Sequence, residues 1–284
     1  MFIPRNLLED KLRQILADDI GQGDVTVAAV IPSNLNVKAE VVAKEDGVVA
    51  GIEEATFFAE TLGLTVKAKV SDGEKIKNKQ VLMQISGDAQ TILSVERTML
   101  NLLSRMSGIA TITRTLTERL KKAKVKAKIA ATRKSAPGLL YFDKKAVVIG
   151  SGDPHRLHLD DMILIKDNHL AIVGSVEEAV KKAKANASFT KKIEVEVTNV
   201  EDALKATKVG ADIVMFDNFS PKQAKEASHA LKKAGFGSVL LEVSGGIIGD
   251  NLMQYAKANV DIISMGEITN SVKALDISLE ILKN

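Results

Sequence analysis

The spacing of apolar positions divides the chain into two halves of different rhythm. In the first, Leu7, Leu8, Leu12 and Ile15 recur at helical spacing and predict a helix over residues 4–18. The Gly- and Asp-rich stretch Asp18–Thr26 carries no lysine, unlike a phosphate loop ending in Lys-Ser/Thr, and reads as structural. Residues 36–50 alternate as a strand pair around Glu45-Asp46-Gly47. Ile52–Leu62 fits a helix stopped by Gly63, and Leu64–Val70 and Val81–Ile85 fit strands joined through Ser71-Asp72-Gly73-Glu74. These elements make a small α+β unit. Residues 92–124 read as one or two helices with Leu93, Met99, Leu102, Leu103 and Met106 on the apolar face. Gly108 and the β-branched run Ile109–Thr113 mark the expected break.

After Lys126 short β-rich runs recur: Ile129–Thr132, Ile163–Ile165, Ile193–Val197, Ile213–Phe216, Val239–Val243 and Ile262–Met265. Helical segments separate the later ones, at Val176–Lys184, Val200–Val209, Pro221–Ala234 and Asp250–Ala258. Strands alternating with helices imply βα units and a parallel sheet. Residues 140–160 leave room for one more strand. The expected fold is therefore α/β: an N-terminal α/β sandwich domain over residues 1–112, on which a last helix at 271–284 packs, and a partly open, TIM-like barrel of about seven strands over residues 113–270.

Composition narrows the function. Apolar residues at 45% and charged residues at 26% are ordinary for a soluble globular protein. A net charge of +3 is too small to imply nucleic-acid binding, and 4% aromatic content argues against base-stacking platforms. The absence of cysteine excludes disulfides, Cys-ligated zinc and thiol nucleophiles, and fits a cytoplasmic protein. No apolar run approaches the ~18 residues of a membrane span, and the first residues lack a signal-peptide pattern.

The chemistry lies where strands end. Those ends read Arg133-Lys134, Lys166, Glu196, Asp217, Ser244-Gly245-Gly246 and Gly266. In a parallel barrel they converge on one rim. Arg133, Lys134, His155, Arg156 and Lys166 form a cationic half, and a cation beside a buried strand is costly unless it meets an anion. Glu196 and Asp217 suit a hydrated divalent ion such as Mg²⁺ held through phosphate oxygens and waters. Ser244-Gly245-Gly246 before the helix from Asp250, and Met265-Gly266-Glu267 before the last βα helix, offer backbone N–H groups to a phosphate. The two halves together suggest group transfer from a phosphorylated sugar to a small polyanion. Taken alone, Arg97 reads as a solvated helix charge.

Several motifs match a known family in order and spacing: Gly21–Thr26, Glu96-Arg97-Thr98 through Asn101, Ser107–Thr111, Thr132-Arg133-Lys134, Pro137-Gly138, His155-Arg156, Leu164–His169, Glu194-Val195-Glu196, Phe216-Asp217-Asn218, Glu242–Gly246 and Ser264-Met265-Gly266. Over nearly its whole length the chain resembles quinolinate phosphoribosyltransferases, the carboxylating nicotinate-nucleotide pyrophosphorylases. The resemblance implies conversion of quinolinate and phosphoribosyl pyrophosphate to nicotinate mononucleotide, pyrophosphate and CO₂, with Mg²⁺. It implies a homodimer, or a higher assembly such as a hexamer, in which Arg97 reaches the neighbour's active site. By the same resemblance Arg97, Thr132, Arg133, Lys134, His155, Arg156 and Lys166 bind quinolinate. Glu196, Asp217, Ser244, Gly245, Gly246, Met265, Gly266 and Glu267 bind phosphoribosyl pyrophosphate, and Lys134, Lys166, Glu196 and Asp217 are catalytic.

The chain departs from the family pattern at Ala131, Ser135, Leu140, Ser151 and Asn270. A molybdenum-utilisation homologue with another acceptor would share the fold. A Schiff-base aldolase would use Lys134 or Lys166 in an apolar pocket, and the crowd of arginines fits a polyanionic ligand instead.

Overall fold

The computed structural model describes residues 3–282. In chain order the elements are α1 (Arg5–Ile20), α2 (Val25–Val30), β1 (Asn36–Ala43), β2 (Gly47–Val48), α3 (Ile52–Thr61), β3 (Thr65–Ala68), β4 (Lys75–Ile76), β5 (Val81–Asp88) and α4 (Ala89–Lys122). There follow β6 (Lys128–Ala131), α5 (Leu140–Ile149), β7 (Ile163–Ile165), α6 (Asp167–Val173), α7 (Val176–Asn186), β8 (Ile193–Val197), α8 (Val200–Lys208), β9 (Ile213–Asp217) and α9 (Pro221–Lys233). The last are β10 (Leu240–Ser244), α10 (Leu252–Tyr255) with a 3-10 turn at Ala256–Ala258, β11 (Ile262–Met265), α11 (Glu267–Asn270) and β12 (Ile277–Ile281). They form two compact units. One takes the described part of Met1–Ile112, Val148–Gly150 and the described part of Val272–Asn284; the other takes Thr113–Val147 and Ser151–Ser271.

The first unit is built on an antiparallel sheet in the order β12-β1-β5-β3. Its strands bury Ala39, Val41, Leu82, Met83 and Ile85, and α3 buries Phe58 and Ala59. Three expectations change here. β1 and β2 do not pair with each other: β2 pairs with β4 instead. The expected break at Gly108 is absent, because α4 runs unbroken for 34 residues. Gly108 is a contact point rather than a helix stop: a Cβ there would stand 2.2 Å from the Lys273 carbonyl oxygen. The expected last helix at 271–284 is replaced, within the described residues, by strand β12, which pairs with β1 from Ala39↔Ile281 to Ala43↔Ile277. Ile277, Leu279 and Ile281 alternate with Ser278 and Glu280, and that period of two wins over the helical reading.

The second unit carries a wholly parallel sheet in the order β6-β11-β10-β9-β8-β7. It has six strands rather than about seven. The segment expected to supply the seventh forms α5 and then a single bridge, Asp153 to Ala130, with Ala131 N–H donating to Asp153 O at 3.0 Å and Asp153 N–H to Ile129 O at 2.8 Å. Pro154 has no N–H to extend that ladder, so the sheet stays open between β6 and β7. Residues buried in the strands, such as Val195, Val214, Phe216, Val243 and Ile263, account for the near-continuous apolar runs.

Candidate active site

All six parallel strands deliver residues to one cavity of about 560 Å³ at their carboxyl ends. β6 leads into Thr132, Arg133 and Lys134, β7 into Lys166, and β8 brings Glu196. β9 brings Asp217, β10 brings Glu242 and Ser244, and β11 brings Ser264. A sheet whose every strand end reaches one cavity is curled as a barrel, and this rim is where such folds build active sites. A larger cavity, about 760 Å³, opens at the amino ends of the strands. There Lys126, Lys128 and Lys192 mix with Asp153, Asp161 and Asp261 rather than converging on one sign of charge.

One flank of the rim cavity is a charge that the protein leaves unanswered. Among the described residues, the side chains of Arg133, Lys134 and Arg156 have no ion pair and no hydrogen bond. Arg156 is buried, and burial first, then the Arg133 charge, lowers its pKa. The charges of Glu194, Glu196 and Asp161 act on Arg156 from a distance without forming an ion pair, and two guanidiniums held together without a paired anion are a costly arrangement that a bound dicarboxylate would relieve. Lys134 is supported from below. Its N–H donates to Thr132 Oγ1 at 3.1 Å, and its carbonyl accepts from Thr269 Oγ1 at 2.9 Å.

The other flank is acidic. Glu196 Oε1 accepts from Lys166 Nζ at 2.6 Å, and Asp217 Oδ2 accepts from Asn218 Nδ2 at 2.8 Å. Lys166 is set at the start of α6, where its N–H donates to His169 Nδ1 at 2.8 Å. Asn218 adopts φ 55°, and its N–H donates to Ser244 O at 2.9 Å. That turn presses on Gly245, whose φ is +95° and whose Cβ would meet Asn218 Oδ1 at 2.3 Å and Asn218 N at 2.7 Å. Gly245→Ala is expected to displace the turn, costing about 1–3 kcal/mol of stability, and to weaken phosphoribosyl pyrophosphate binding more than quinolinate binding. Thermal melts and separate KM measurements check this.

The backbone N–H groups of Gly245 and Gly246 have no acceptor among the described residues. They belong to a loop, because α10 starts only at Leu252 and has four residues. The expected helix N-terminus at Asp250 is therefore corrected to a glycine turn with free donors.

At the floor of the cavity, which His155 and Glu242 line, lies a group that strand-end reasoning left out of the site. Glu194 and Glu242 are fully buried, and His155 Nε2 lies 3.4 Å from Glu194 Oε2 and 3.2 Å from Glu242 Oε2. Ser264 Oγ donates to Glu242 Oε1 at 2.5 Å. Burial raises the Glu194 carboxyl above its usual range, and the Glu242 charge adds to this. Burial disfavours a charged His155 ring, but hydrogen bonds and charges from both glutamates outweigh it and raise that pKa. The available signal was the strand period of two, which puts Glu194 on the same inward face as Glu196, and Glu242 on that of Ser244.

Lys144 on α5 is also fully buried, its amine donating to the Pro154 carbonyl. Burial lowers its pKa from 10.5 to about 8; Asp153 and Asp143 oppose the shift, while Arg133 and Arg156 add to it. A cation whose folded pKa is depressed costs stability. Between about 8 and 10.5 the unfolded chain binds more protons, so stability rises with pH there, and below 8 the full cost, about 3 kcal/mol, is present. Lys144→Met is expected to match or exceed wild-type stability at pH 7, with the gap shifting toward wild type as pH rises through that window. Denaturant titrations at pH 7, 8.5 and 10 read it.

The rim cavity thus gathers Thr132, Arg133, Lys134, His155, Arg156, Lys166, Glu196, Asp217, Ser244, Gly245 and Gly246. Met265, Gly266 and Glu267 do not line it. Met265 is fully buried, and Glu267 Oε2 accepts from Gly249 N–H at 2.8 Å. Gly266 serves from behind, since a Cβ there would come within 3.2 Å of Lys134 Cδ. Arg97 lies in the first unit on α4, exposed, 3.9 Å from Glu96. No helix among the described residues is long and apolar enough to cross a membrane.

Residues 24–107 match the N-terminal domain of quinolinate phosphoribosyl transferase, and residues 109–280 match its C-terminal domain. The chain is 45% identical over 273 residues to the probable nicotinate-nucleotide pyrophosphorylase (carboxylating) of Methanothermobacter thermautotrophicus, covering 96% of this chain and 98% of that one. It is 38% identical to the nicotinate-nucleotide pyrophosphorylase (carboxylating) of Mycobacterium leprae, covering 96% of each. The structure of the nicotinate-nucleotide pyrophosphorylase from Francisella tularensis superposes with a TM-score of 0.90 at 35% identity, over 99% of this chain and 98% of that one. With both domains matched and the fold shared from end to end, this chain belongs to the quinolinate phosphoribosyl transferase family.

Proposed function

We propose that the chain transfers the phosphoribosyl group of phosphoribosyl pyrophosphate to the ring nitrogen of quinolinate, yielding nicotinate mononucleotide, pyrophosphate and CO₂. The observation that carries this reading is the unanswered cationic flank of Arg133, Lys134 and Arg156 facing the carboxylates of Glu196 and Asp217 across one cavity. The two arginines suit the paired carboxylates of quinolinate, because a planar fork matches a carboxylate bidentately. The free N–H groups of Gly245 and Gly246 suit the 5′-phosphate. Lys166 lies between the two substrates.

Glu196 and Asp217 each use one oxygen within the protein and leave the other without a partner among the described residues. An all-oxygen set of this kind fits a hard, hydrated Mg²⁺, held largely through water. When bound, the ion would neutralise charge on the diphosphate. The same two carboxylates would accept hydrogen bonds from the ribose hydroxyls and face the positive charge that builds at C1′ as its bond to pyrophosphate breaks. The ring nitrogen attacks from the opposite face; when the adjacent carboxylate leaves as CO₂ its bonding pair stays on the ring carbon beside the positive nitrogen, and that carbon takes up one proton from solvent. Little proton transfer is required, so the residues act by positioning and electrostatics.

In this reading the active unit is a homodimer or a larger assembly such as a hexamer, Arg97 completes a neighbour's site, and the enzyme works in the cytoplasm, a setting that its lack of cysteine suits. Purified protein mixed with quinolinate, phosphoribosyl pyrophosphate and Mg²⁺ should form nicotinate mononucleotide, and nicotinate in place of quinolinate should not support product. Failure with quinolinate, or equal rates with nicotinate, would overturn the acceptor assignment. Mixing an Arg97→Ala variant with an inactive Lys166→Ala variant should restore activity if sites are shared between subunits.

A further inference from the structure

Asp143 and Lys144 are adjacent on α5, both are fully buried, and neither lines the rim cavity. Burying two charged side chains is costly unless each is hydrogen-bonded. Asp143 Oδ2 accepts the Ala136 N–H at 3.2 Å. Lys144 donates its amine to the Pro154 carbonyl. The two partners lie in the two loops that supply the cationic flank. Thr132–Ala136 carries Arg133 and Lys134, and Asp153–Arg156 carries His155 and Arg156.

Strand pairing stops short of both loops. β6 ends at Ala131, and the second loop meets the sheet at one bridge, Asp153 to Ala130. Past that bridge the chain turns through His155 at φ 53°, a left-handed value that side chains rarely adopt and that persists only where neighbours impose it. The peptide unit joining Pro154 to His155 is pinned at both ends. Lys144 holds its carbonyl, and Asp153 Oδ1 accepts its N–H at 2.8 Å. Arg156 follows directly. The end of α5 is tied to the same segment, since the Val147 carbonyl accepts the Gly152 N–H at 2.9 Å. The charges of Arg133 and Arg156 both bear on the Lys144 amine, which stands near each of them outside the cavity. An apolar side chain at this place would avoid the cost of burial and leave the Pro154 carbonyl unheld.

From this geometry we infer that Asp143 and Lys144 are positioning residues for the acceptor: as a two-sided brace on one turn of α5, they hold the Thr132–Ala136 and Asp153–Arg156 loops so that Arg133 and Arg156 keep the spacing a vicinal dicarboxylate requires. The inference deepens the quinolinate reading and rests on it. Neither brace residue touches the substrate, because both act through loop backbone. A diacid with neighbouring carboxylates is sensitive to such a brace, since each planar fork must meet its own carboxylate in a fixed direction. The flank assigned to phosphoribosyl pyrophosphate is carried by other strands, β8, β9 and β10.

Steady-state kinetics on the full chain tests it. Lys144→Met, which should fold at least as stably as wild type at pH 7, should raise the KM for quinolinate at least tenfold while the KM for phosphoribosyl pyrophosphate stays within threefold. Asp143→Ala should show the same split. Asp143→Asn keeps an oxygen for the Ala136 N–H and should hold the quinolinate KM within threefold of wild type. A wild-type quinolinate KM in folded Lys144→Met or Asp143→Ala overturns the inference, as does an equal rise in both KM values. An Asn variant as impaired as the Ala variant would assign the effect to lost charge, and the brace would fall. Where only one of Lys144→Met and Asp143→Ala folds, that one decides; where neither folds, the pair serves the fold and the inference is overturned. Wild type is assayed alongside. No product from it defeats the quinolinate reading, whereas product with unchanged variant KM values defeats the brace alone.

Discussion

Lys166→Ala should lower turnover by about 100- to 1,000-fold, the loss seen when one preorganised donor is removed from a site of charge development, with little change in melting temperature. Lys166 Nζ sits 2.6 Å from Glu196 Oε1, so truncation removes a cation from the middle of the cavity and leaves a carboxylate without its counter-charge. That exposed carboxylate would repel the diphosphate as well. Folding should be spared because the Lys166 side chain is 44% exposed, and ion pairs at such sites contribute about 0–1 kcal/mol. Single-turnover assays with both substrates saturating separate chemistry from binding. Near-normal product formation by this variant would remove Lys166 from the reaction.

Arg156→Met should affect function and stability in opposite directions. Arg156 is buried, feels the charge of Arg133 and makes no ion pair among the described residues, with the carboxylates of Glu194, Glu196 and Asp161 acting on it only from a distance. Replacing an unpaired buried cation with an apolar side chain of similar length is neutral or stabilising, so the melting temperature of the free protein should hold or rise. A charge-assisted contact to a substrate carboxylate contributes about 2–5 kcal/mol when its partner would otherwise stay buried, so kcat/KM for quinolinate should fall by at least about 30-fold. Quinolinate should also protect wild type against thermal unfolding and leave the variant unprotected. A variant that loses both stability and activity would mean that Arg156 supports the fold rather than the acceptor.

Both predictions concern residues legible from sequence, and the physics of parallel sheets explains why. A strand buried on both faces reads as an apolar run, and the first polar residue after it marks the rim. Arg133, Lys166, Glu196 and Asp217 were found this way, and the structure brings all four to one cavity. The same logic reached too far at Met265 and Glu267, since it gives the order of residues along a strand end but not which side chain turns inward. It fell short at Glu194 and Glu242, which lie one strand repeat below the rim, where a carboxylate looks misplaced until His155 is seen against it. The first unit was harder to read. Its strands β2 and β4 have two residues each, too few to show a period. Gly108 resembles a helix stop, and its reason is a carbonyl 165 positions later in the chain. No local pattern encodes such a contact.

The pairing of β12 with β1 has a consequence for how the molecule is made. The two strands bracket the entire parallel sheet in sequence, so on the ribosome β1 emerges with one of its two neighbours still unsynthesised. Its backbone N–H and C=O groups on that side remain an open edge, exposed to pairing with other chains, until more than two hundred further residues have appeared. The catalytic barrel can gather its own strands during that interval. Maturation should therefore run outward from the middle of the chain, with the amino-terminal sheet sealed last.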